Sequence, residues 1–316
     1  MDFTKTPQAF SDQINLLKSR GLKIDNEEFA IRYLENISYY RLSAYFLTFQ
    51  IHGDPNHNYI KSATFKNVIN LYVFDRELRN ILLDGIERIE VALRCRLVYE
   101  YCHKYGNNWY ENSTLFLRKH RQFMDLLQNE LKGSKEVFIS HYFNKYTNPH
   151  NPPAWMAIEI LSFGQVSTLY KNLATNDAKK SIASHFGVSV PVLESWIEHL
   201  VYIRNICAHH GRLWNRIMTV KAVIPSNPIK KWITIAPSKP DKLYTTLSIA
   251  SYLLNIIGNN PIFVGKVKVL LKRFDEIDID SAGFPANWKH DNFWKSIPLG
   301  ITHQARLFLF SFYKFK

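Results

Sequence analysis

The sequence predicts an all-α fold, and three observations lead there. Leu71, Phe74, Leu78, Leu82, Ile86, Ile89, Leu93 and Leu97 recur at three- or four-residue intervals and draw one apolar stripe along a helix. Paired prolines at Pro152-Pro153 stop one helix and start the next at its first turn. Val190-Pro191-Val192-Leu193 opens a further helix, and Gly211 sits where a helix C-cap glycine would. With 316 residues, 46% of them hydrophobic, the chain can bury a sizeable core.

Residues 11–20 carry Ile14, Leu16 and Leu17 in helical spacing, and Gly21 ends that helix. A second helix is predicted over 27–36. Ser38-Tyr39-Tyr40-Arg41-Leu42-Ser43-Ala44-Tyr45 then clusters phenols around a guanidinium, which reads as core packing with satisfied hydroxyls rather than a base-stacking platform. A polar loop at His52-Gly53-Asp54-Pro55-Asn56 precedes the striped helix, about thirty residues long, which Gly106-Asn107-Asn108 ends. Its other faces carry Asp75, Arg76, Glu77, Arg79, Glu87, Arg88, Glu90, Arg94 and Arg96, the mixed signs of a solvated or ion-paired surface. This helix is the predicted spine.

Thr147-Asn148-Pro149-His150-Asn151-Pro152-Pro153 is the clearest internal break. Residues 154–173 resume helical spacing through Trp155, Ile158, Leu161, Val166 and Leu169. Glu159 lies there among apolar neighbours, where an unpaired carboxylate is costly, so a partner arginine is expected. Beyond Trp214 the pattern loosens into Ile224-Pro225-Ser226-Asn227-Pro228 and Ala236-Pro237-Ser238-Lys239-Pro240. A final helix pair is predicted over 242–257 and 263–273, followed by an irregular aromatic turn at Gly283-Phe284-Pro285-Ala286-Asn287-Trp288. Leu307-Phe308-Leu309-Phe310 is too short to span a bilayer and reads as a packing tail or partner contact. No repeat, low-complexity tract or linker divides the chain.

Lys plus Arg number 40 against 27 Asp plus Glu, a formal charge of +13. That excess favours a polyanionic partner through phosphate contacts and counterion release; general surface basicity is the alternative. Cys95, Cys102 and Cys207 are odd in number and lack CxxC spacing, which argues against a disulfide framework and a zinc knuckle. Met1-Asp2-Phe3-Thr4-Lys5-Thr6 has no apolar signal core, and no run approaches the roughly eighteen apolar residues that span a bilayer. The expected setting is a reducing cytoplasm, away from the membrane.

Chemistry concentrates in Arg204-Asn205-Ile206-Cys207-Ala208-His209-His210, followed by Gly211-Arg212-Leu213-Trp214-Asn215-Arg216. An arginine, an amide and two imidazoles stand close together, with two more guanidinium groups beyond. Metal-free RNA cleavage needs these groups: an acid or base that titrates near neutrality, and fixed positive charge to hold a phosphate. If 193–210 is helical at about 100° per residue, Trp196, Leu200, Ile203 and Cys207 fall within an arc of roughly 60° and form the buried stripe. Arg204 lies on its edge. Asn205, Glu198 and His209 fall at about 100°, about 120° and about 140° from Arg204 on one side, and His210 at about 120° on the other.

The shared face favours His209 as the reacting imidazole, oriented by Asn205 and tuned by Glu198. For His210 a packed or capping role competes with catalysis. Both imidazoles precede Gly211, where the helix dipole and free carbonyls favour a cation. A protonated His209 can stabilise an oxyanion or protonate a leaving 5′ oxygen while Arg204 holds a non-bridging phosphate oxygen, with Arg212 and Arg216 steering the RNA. The nucleophile is then the substrate's own 2′-hydroxyl, so neither a metal nor another cofactor is required, and DNA is bound at best. A structural alternative pairs Arg204 with Glu159 or Glu198 and lets the histidines finish a helix, because the pattern is short and common. Arg96 and His103 repeat a similar spacing on the spine helix without a polar residue after the arginine. No HExxH, GxSxG or glycine-rich phosphate loop occurs.

Four segments resemble the abortive-infection (Abi) proteins of the AbiD/AbiF type, a bacterial phage-defence family. They are Ile37-Ser38-Tyr39-Tyr40-Arg41-Leu42-Ser43-Ala44-Tyr45; Phe74-Asp75-Arg76-Glu77-Leu78-Arg79 running into Ile86-Glu87-Arg88-Ile89-Glu90-Val91-Ala92-Leu93-Arg94; Pro153-Ala154-Trp155 through Glu159 to Ser162-Phe163-Gly164; and the stretch from Arg204 to Arg216. They stand in the family's order and, with the aromatic turn at Gly283, cover nearly the whole chain. The resemblance implies an all-α, HEPN-like helical bundle with additional N- and C-terminal helices. It implies one domain over 1–316, with a HEPN-like core at about 65–216 and a C-terminal extension at about 217–316.

The Arg-polar-x3-His signature of HEPN ribonucleases falls on Arg204, Asn205 and His209, with His210 adjoining. HEPN nucleases pair two such motifs, so a single one here implies a homodimer with a composite cleft. The likeness also implies control by an antitoxin, such as a structured RNA. The expected activity is that of a metal-independent endoribonuclease of a defence or toxin–antitoxin system, cutting single-stranded RNA. The alternatives are a non-catalytic RNA-binding protein that holds a small regulatory RNA, and a helical protein that binds a protein partner.

Overall fold

The computed structural model describes residue 2 and residues 6–258 and 261–295. Thirteen α-helices and five 3-10 turns make up the described chain, with three isolated β-bridges and no sheet among the described residues. The fold is all-α, as the apolar periodicity predicts. Leu307-Phe308-Leu309-Phe310 lies outside the described residues. No helix among the described residues is long and apolar enough to cross a membrane. The described residues form two compact units, one holding those up to Arg79 with Leu270–Ile277, the other those from Asn80 to Val269 with those from Asp278 to Lys295.

The first unit holds α1 (Phe10–Ser19), α2 (Glu27–Ile37), α3 (Tyr39–Phe46) and the start of α4 (Phe65–Tyr105). Gly21 takes a left-handed φ of 88° just beyond α1, as a glycine at a helix end can without steric cost. Asn26 caps α2 by accepting the Phe29 N–H at 2.9 Å, and Ser38 both ends α2 and caps α3. The Tyr39–Tyr45 cluster divides by face. Tyr40 is 89% exposed, whereas Tyr45 is buried and donates its hydroxyl to Asp75 at 2.7 Å. Arg79 pairs with Asp75 and also donates to the Tyr45 hydroxyl at 3.2 Å. Burial, followed by the Asp75 charge, pushes the Tyr45 phenol far above its ordinary range.

The spine helix α4 runs for 41 residues, longer at both ends than its central stripe. In the second unit it buries Leu82, Ile86, Ile89, Leu93, Leu97 and Tyr101. That unit continues with α5 (His120–Gly133), α6 (Val137–Lys145), α7 (Ala154–Ala157), α8 (Phe163–Asn172), α9 (Asp177–His185), α10 (Val190–Ala208), α11 (Leu243–Gly258), most of α12 (Pro261–Arg273) and α13 (Asn292–Lys295). Helix α10 packs on α8, α9 and α11. Every side chain from Leu243 to Leu254 is buried, so α11 is a core helix. A Cβ on Gly85 of α4 would stand 2.9 Å from Phe263 Cε2 and 3.1 Å from Leu254 Cδ1; the missing side chain is what lets these helices approach.

The sequence predicts one helix over 154–173, and the structure corrects this to two. Helix α7 stops at Ala157 and α8 begins at Phe163. Ser162 and Gln165 form a capping box: the Gln165 N–H donates to Ser162 Oγ at 3.3 Å and the Ser162 N–H to Gln165 Oε1 at 2.6 Å. The carbonyls released between the helices go to Arg94, which donates to Ile158 O at 2.5 Å and Leu161 O at 2.7 Å and pairs with Glu90. Glu159, expected to be buried beside an arginine, is exposed in this break. The nearby arginine serves the backbone instead.

The C-terminal segments close on Asp291, a buried carboxylate that accepts the Thr234 and Ile235 N–H groups at 2.6 and 2.8 Å. Burial alone would raise its pKa, but these amides and the Phe293 N–H hold it below the usual carboxylate range. The aromatic turn after Gly283 buries Phe284 and Trp288 beside Tyr244 and Trp294.

Candidate functional site

Helix α10 starts after Ser189 with Pro191 in its first turn, where a missing N–H costs nothing. Trp196, Leu200, Ile203 and Cys207 are all buried, as the helical wheel requires, and Arg204 is half-buried at their edge. His199 is buried too. Its Nδ1 faces Val220 O at 2.6 Å and its Nε2 faces Thr246 Oγ1 at 2.8 Å. Burial lowers its pKa, opposed by the carbonyl, so His199 is a neutral ring that ties α10 to α11.

The helix ends in a Schellman turn. The His209 N–H continues the ladder to Asn205 O at 3.0 Å, the His210 N–H reaches Cys207 O at 3.0 Å, and the Gly211 N–H reaches Ile206 O at 2.8 Å. His210, not Gly211, occupies the left-handed position, with φ of 56°. The C-cap glycine expected from the sequence is therefore displaced by one residue. Gly211 answers a different need: a Cβ there would lie 3.2 Å from Ile206 Cγ2 and 3.3 Å from Ile206 O. Because α10 stops at Ala208, His210 leaves the helical screw, and its wheel angle no longer applies. His209 and His210 are both exposed.

Beyond Gly211 the chain is pinned by Leu213 and Trp214, both buried, with Arg212 and Arg216 half-buried on either side. The Arg216 N–H bonds Leu213 O at 3.2 Å, and Arg216 Nε donates to Arg212 O at 2.8 Å. Arg216 Nη2 stands 3.8 Å from where a Gly211 Cβ would be. The structure thus brings Arg216 against the backbone of the histidine turn. Asn215, left-handed at φ of 51°, is held by Lys242 Nζ through its carbonyl at 3.0 Å and its side-chain oxygen at 2.7 Å.

Arg204 Nη1 donates to Asn205 Oδ1 at 3.1 Å, joining the arginine and amide of the motif. Arg204 also lines a hollow of about 420 Å³ with Leu83, Asp84, Glu87 and Glu90 of α4. Asp84 faces Lys266 at 3.0 Å and Glu90 pairs with Arg94, so two of the three carboxylates are matched by other cations. Glu198 pairs with Lys171 at 2.7 Å, and Glu159 lies in the α7–α8 break, so neither supporting carboxylate is seen on Arg204. On the spine, Arg96 pairs with Glu100 while the His103 ring lies tilted against Tyr99 with ring centroids 4.2 Å apart. That pair is a surface feature of one helix.

Two residues join the site that the sequence reading left out. Tyr202 of α10 neighbours Thr219 and Arg216; burial would raise its phenol pKa, but these polar neighbours and the guanidinium charge bring it below the ordinary value. Lys242 is buried, and burial followed by the neighbouring charge of Lys239 lowers its pKa, with Arg212 acting in the same sense and Asp241 against it. Signals for both existed. Tyr202 precedes His209 by two helical turns, and Lys242 opens a predicted helix, but only tertiary contact relates them to the arginines. Among the described residues no group of three or more His, Cys, Asp or Glu side chains is arranged to hold a metal ion.

Compared with known protein families, residues 32–215 match the profile of Abi-like proteins. That span covers more than half of the chain and ends inside the arginine turn. No match is found among curated proteins or among solved structures.

Proposed function

The chain belongs to the Abi-like protein family, and from that premise we propose that it is a phage-defence endoribonuclease which cuts single-stranded RNA without a metal. The observation that carries this reading is the meeting of Arg204, Asn205, two exposed imidazoles and the Arg212–Arg216 turn at one end of α10. Arg204 holds a non-bridging phosphate oxygen, and Asn205 orients its guanidinium. The ribose 2′-oxygen attacks phosphorus while its proton passes to a neutral imidazole, and a protonated imidazole gives a proton to the departing 5′ oxygen. The products are a 2′,3′-cyclic phosphate and a 5′-hydroxyl. His209 is assigned the acid, with His210 adjoining, and Arg212 and Arg216 guide the strand.

One motif in the chain supplies one such set, so the active form is proposed to be a homodimer in which two sets share a cleft. Control by an antitoxin, such as a structured RNA, belongs to the same proposal. The test is cleavage of single-stranded RNA in EDTA by the purified protein and by the Arg204→Ala and His209→Ala variants. Loss in both variants, with cyclic-phosphate ends from the wild type, is the expected result; equal activity dismisses the assignment. A second reading, binding of a regulatory RNA without cleavage, draws on the same basic face and the Arg212–Arg216 turn. It predicts salt-sensitive binding that depends on Arg212 and Arg216 and hardly on His209.

A further inference from the structure

The peptide group that joins Asn215 to Arg216 is fixed on both of its polar edges. Its carbonyl, Asn215 O, accepts a hydrogen bond from Lys242 Nζ at 3.0 Å, and its N–H, on Arg216, donates to Leu213 O at 3.2 Å. Lys242 Nζ also donates to Asn215 Oδ1 at 2.7 Å, which holds Asn215 at its left-handed φ of 51°. Two residues beyond Arg216, the Met218 N–H donates to Asp241 O at 2.8 Å, so Asp241 and Lys242 together clasp the turn. A planar peptide held at both edges sets the direction of the Cα–Cβ bond that follows it, and that bond carries the Arg216 side chain. The guanidinium is fastened in turn through Nε to Arg212 O at 2.8 Å. Lys242 itself is only 8% exposed, so it supports the turn from beneath rather than meeting a strand at its surface. Gly283 makes room for it: a Cβ there would fall 2.7 Å from Lys242 Cβ and 2.9 Å from Lys239 O. Asp241, Lys242 and Gly283 all lie beyond the 32–215 span that matches the Abi-like profile.

We propose that Lys242 is a positioning residue of the RNA site, setting the Asn215–Arg216 peptide so that the Arg216 guanidinium is aimed at a phosphate of a bound single-stranded polyribonucleotide. The proposal rests on the RNA-binding reading given above and adds that the C-terminal extension supplies part of the site. An ammonium, with three donors, can bridge the backbone and side-chain oxygens of one residue, which an apolar side chain of the same length cannot. A guanidinium aligned before binding loses less freedom on meeting a phosphate, so the buried lysine strengthens an ionic contact that it does not make.

The experiment is a double-mutant cycle in the full chain, using Lys242→Met, Arg216→Ala and the combination. Binding is measured with a 2′-O-methylated single-stranded RNA, which cannot be cut by its own 2′ oxygen, and thermal unfolding is followed on the same samples. Arg216→Ala should weaken binding and reduce the slope of log K against log salt by about 0.7, one phosphate's worth for a single strand. Lys242→Met should weaken binding about three- to tenfold, and the double variant should bind no worse than Arg216→Ala alone, with the same slope. A Lys242→Met protein that melts lower but binds like the wild type overturns the proposal, because its clasp then serves stability alone. A loss that adds fully to that of Arg216→Ala, with a further fall of about 0.7 in slope, also overturns it and makes Lys242 a phosphate contact in its own right. Asn215→Gly removes one of the two acceptors while keeping the left-handed turn free of strain, and it decides the matter if Lys242→Met does not fold. It should weaken binding about twofold or more in the wild type and not at all beside Arg216→Ala; wild-type affinity, or an equal loss in both backgrounds, overturns the proposal. Cleavage of unmodified RNA by the same proteins judges the nuclease reading separately. A wild type that binds but never cuts refutes that reading and leaves the cycle to decide this one, whereas a wild type that does not retain RNA overturns both.

Discussion

His210→Gly should be more stable than His210→Ala. The His210 φ of 56° is left-handed, a region where the Cβ of an L-residue crowds the following carbonyl at a cost of about 1–2 kcal/mol. Both substitutions remove the imidazole and whatever it touches, so those losses cancel between them. What remains is the Cβ, relieved in His210→Gly and kept in His210→Ala, less the extra freedom glycine gives the unfolded chain, which takes back about 0.5–1 kcal/mol. The balance is about 1 kcal/mol in favour of His210→Gly over His210→Ala, or about 2 °C in melting temperature for a chain of this size. Thermal unfolding followed by circular dichroism reads the difference, and RNA cleavage in EDTA is measured on the same samples. An alanine variant as stable as the glycine variant refutes the claim that this turn needs a left-handed residue. Activity then assigns the side chain: a more stable, inactive His210→Gly marks the imidazole as retained for chemistry against its conformational cost, and a more stable, fully active one makes His210 a cap and leaves the reaction to His209.

Gly85→Ala should cost about 1–3 kcal/mol in chemical denaturation, because its Cβ would fall 2.9 Å from Phe263 Cε2 in a packed core; an unchanged midpoint would contradict the close helix approach. Arg79→Ala, which removes the guanidinium paired with the fully buried Asp75 carboxylate and leaves the Tyr45 hydroxyl on it, should cost about 3–5 kcal/mol, and a loss below about 1 kcal/mol would show that the pair is not what holds that charge. His199 has a folded-state pKa lowered by burial from its ordinary value near 6.5, so below about pH 6.5 the unfolded chain binds the extra proton. Its contribution is complete above that pH and fades as the pH falls. His199→Asn should therefore flatten the decline in melting temperature between about pH 6.5 and pH 5, and a parallel decline in both proteins would rule out His199 as its source.

Where one face of a helix is apolar and the other polar, the sequence announces the structure. The α4 stripe and the α10 stripe of Trp196, Leu200, Ile203 and Cys207 are legible for that reason. The first turn of α4 was less so, since Phe65 and Val68 precede the regular stripe and the start is set by Thr64 and Asn67, whose side chains exchange hydrogen bonds with each other's backbone N–H at 3.1 Å. The α7–α8 break was hidden because Trp155, Ile158, Leu161, Val166 and Leu169 keep helical spacing straight through it, while the group that satisfies its carbonyls sits on another helix. At the candidate site, the placement of Arg204, Asn205 and His209 near the end of one helix was legible from their spacing. The choice of His210 over Gly211 for the left-handed position could not, because it depends on Gly211 packing against Ile206. Tyr202 and Lys242 are likewise tertiary facts: their neighbours Arg216 and Asn215 lie 14 and 27 positions away along the chain.

The Arg94 contact has a consequence for the order of assembly. The break between α7 and α8 is written into a residue made 64 positions earlier, as the Arg94–Ile158 bond records. During synthesis α4 emerges first, so its guanidinium, already steadied by Glu90, is waiting when the later carbonyls arrive. A peptide of the α7–α8 segment alone lacks that partner for its Ile158 and Leu161 carbonyls and keeps only the Ser162–Gln165 capping box to mark the start of α8. Circular permutants that place residues 154–173 ahead of α4 would have to fold this corner without it, and would reveal whether the ribosome's direction is part of how the chain bends here.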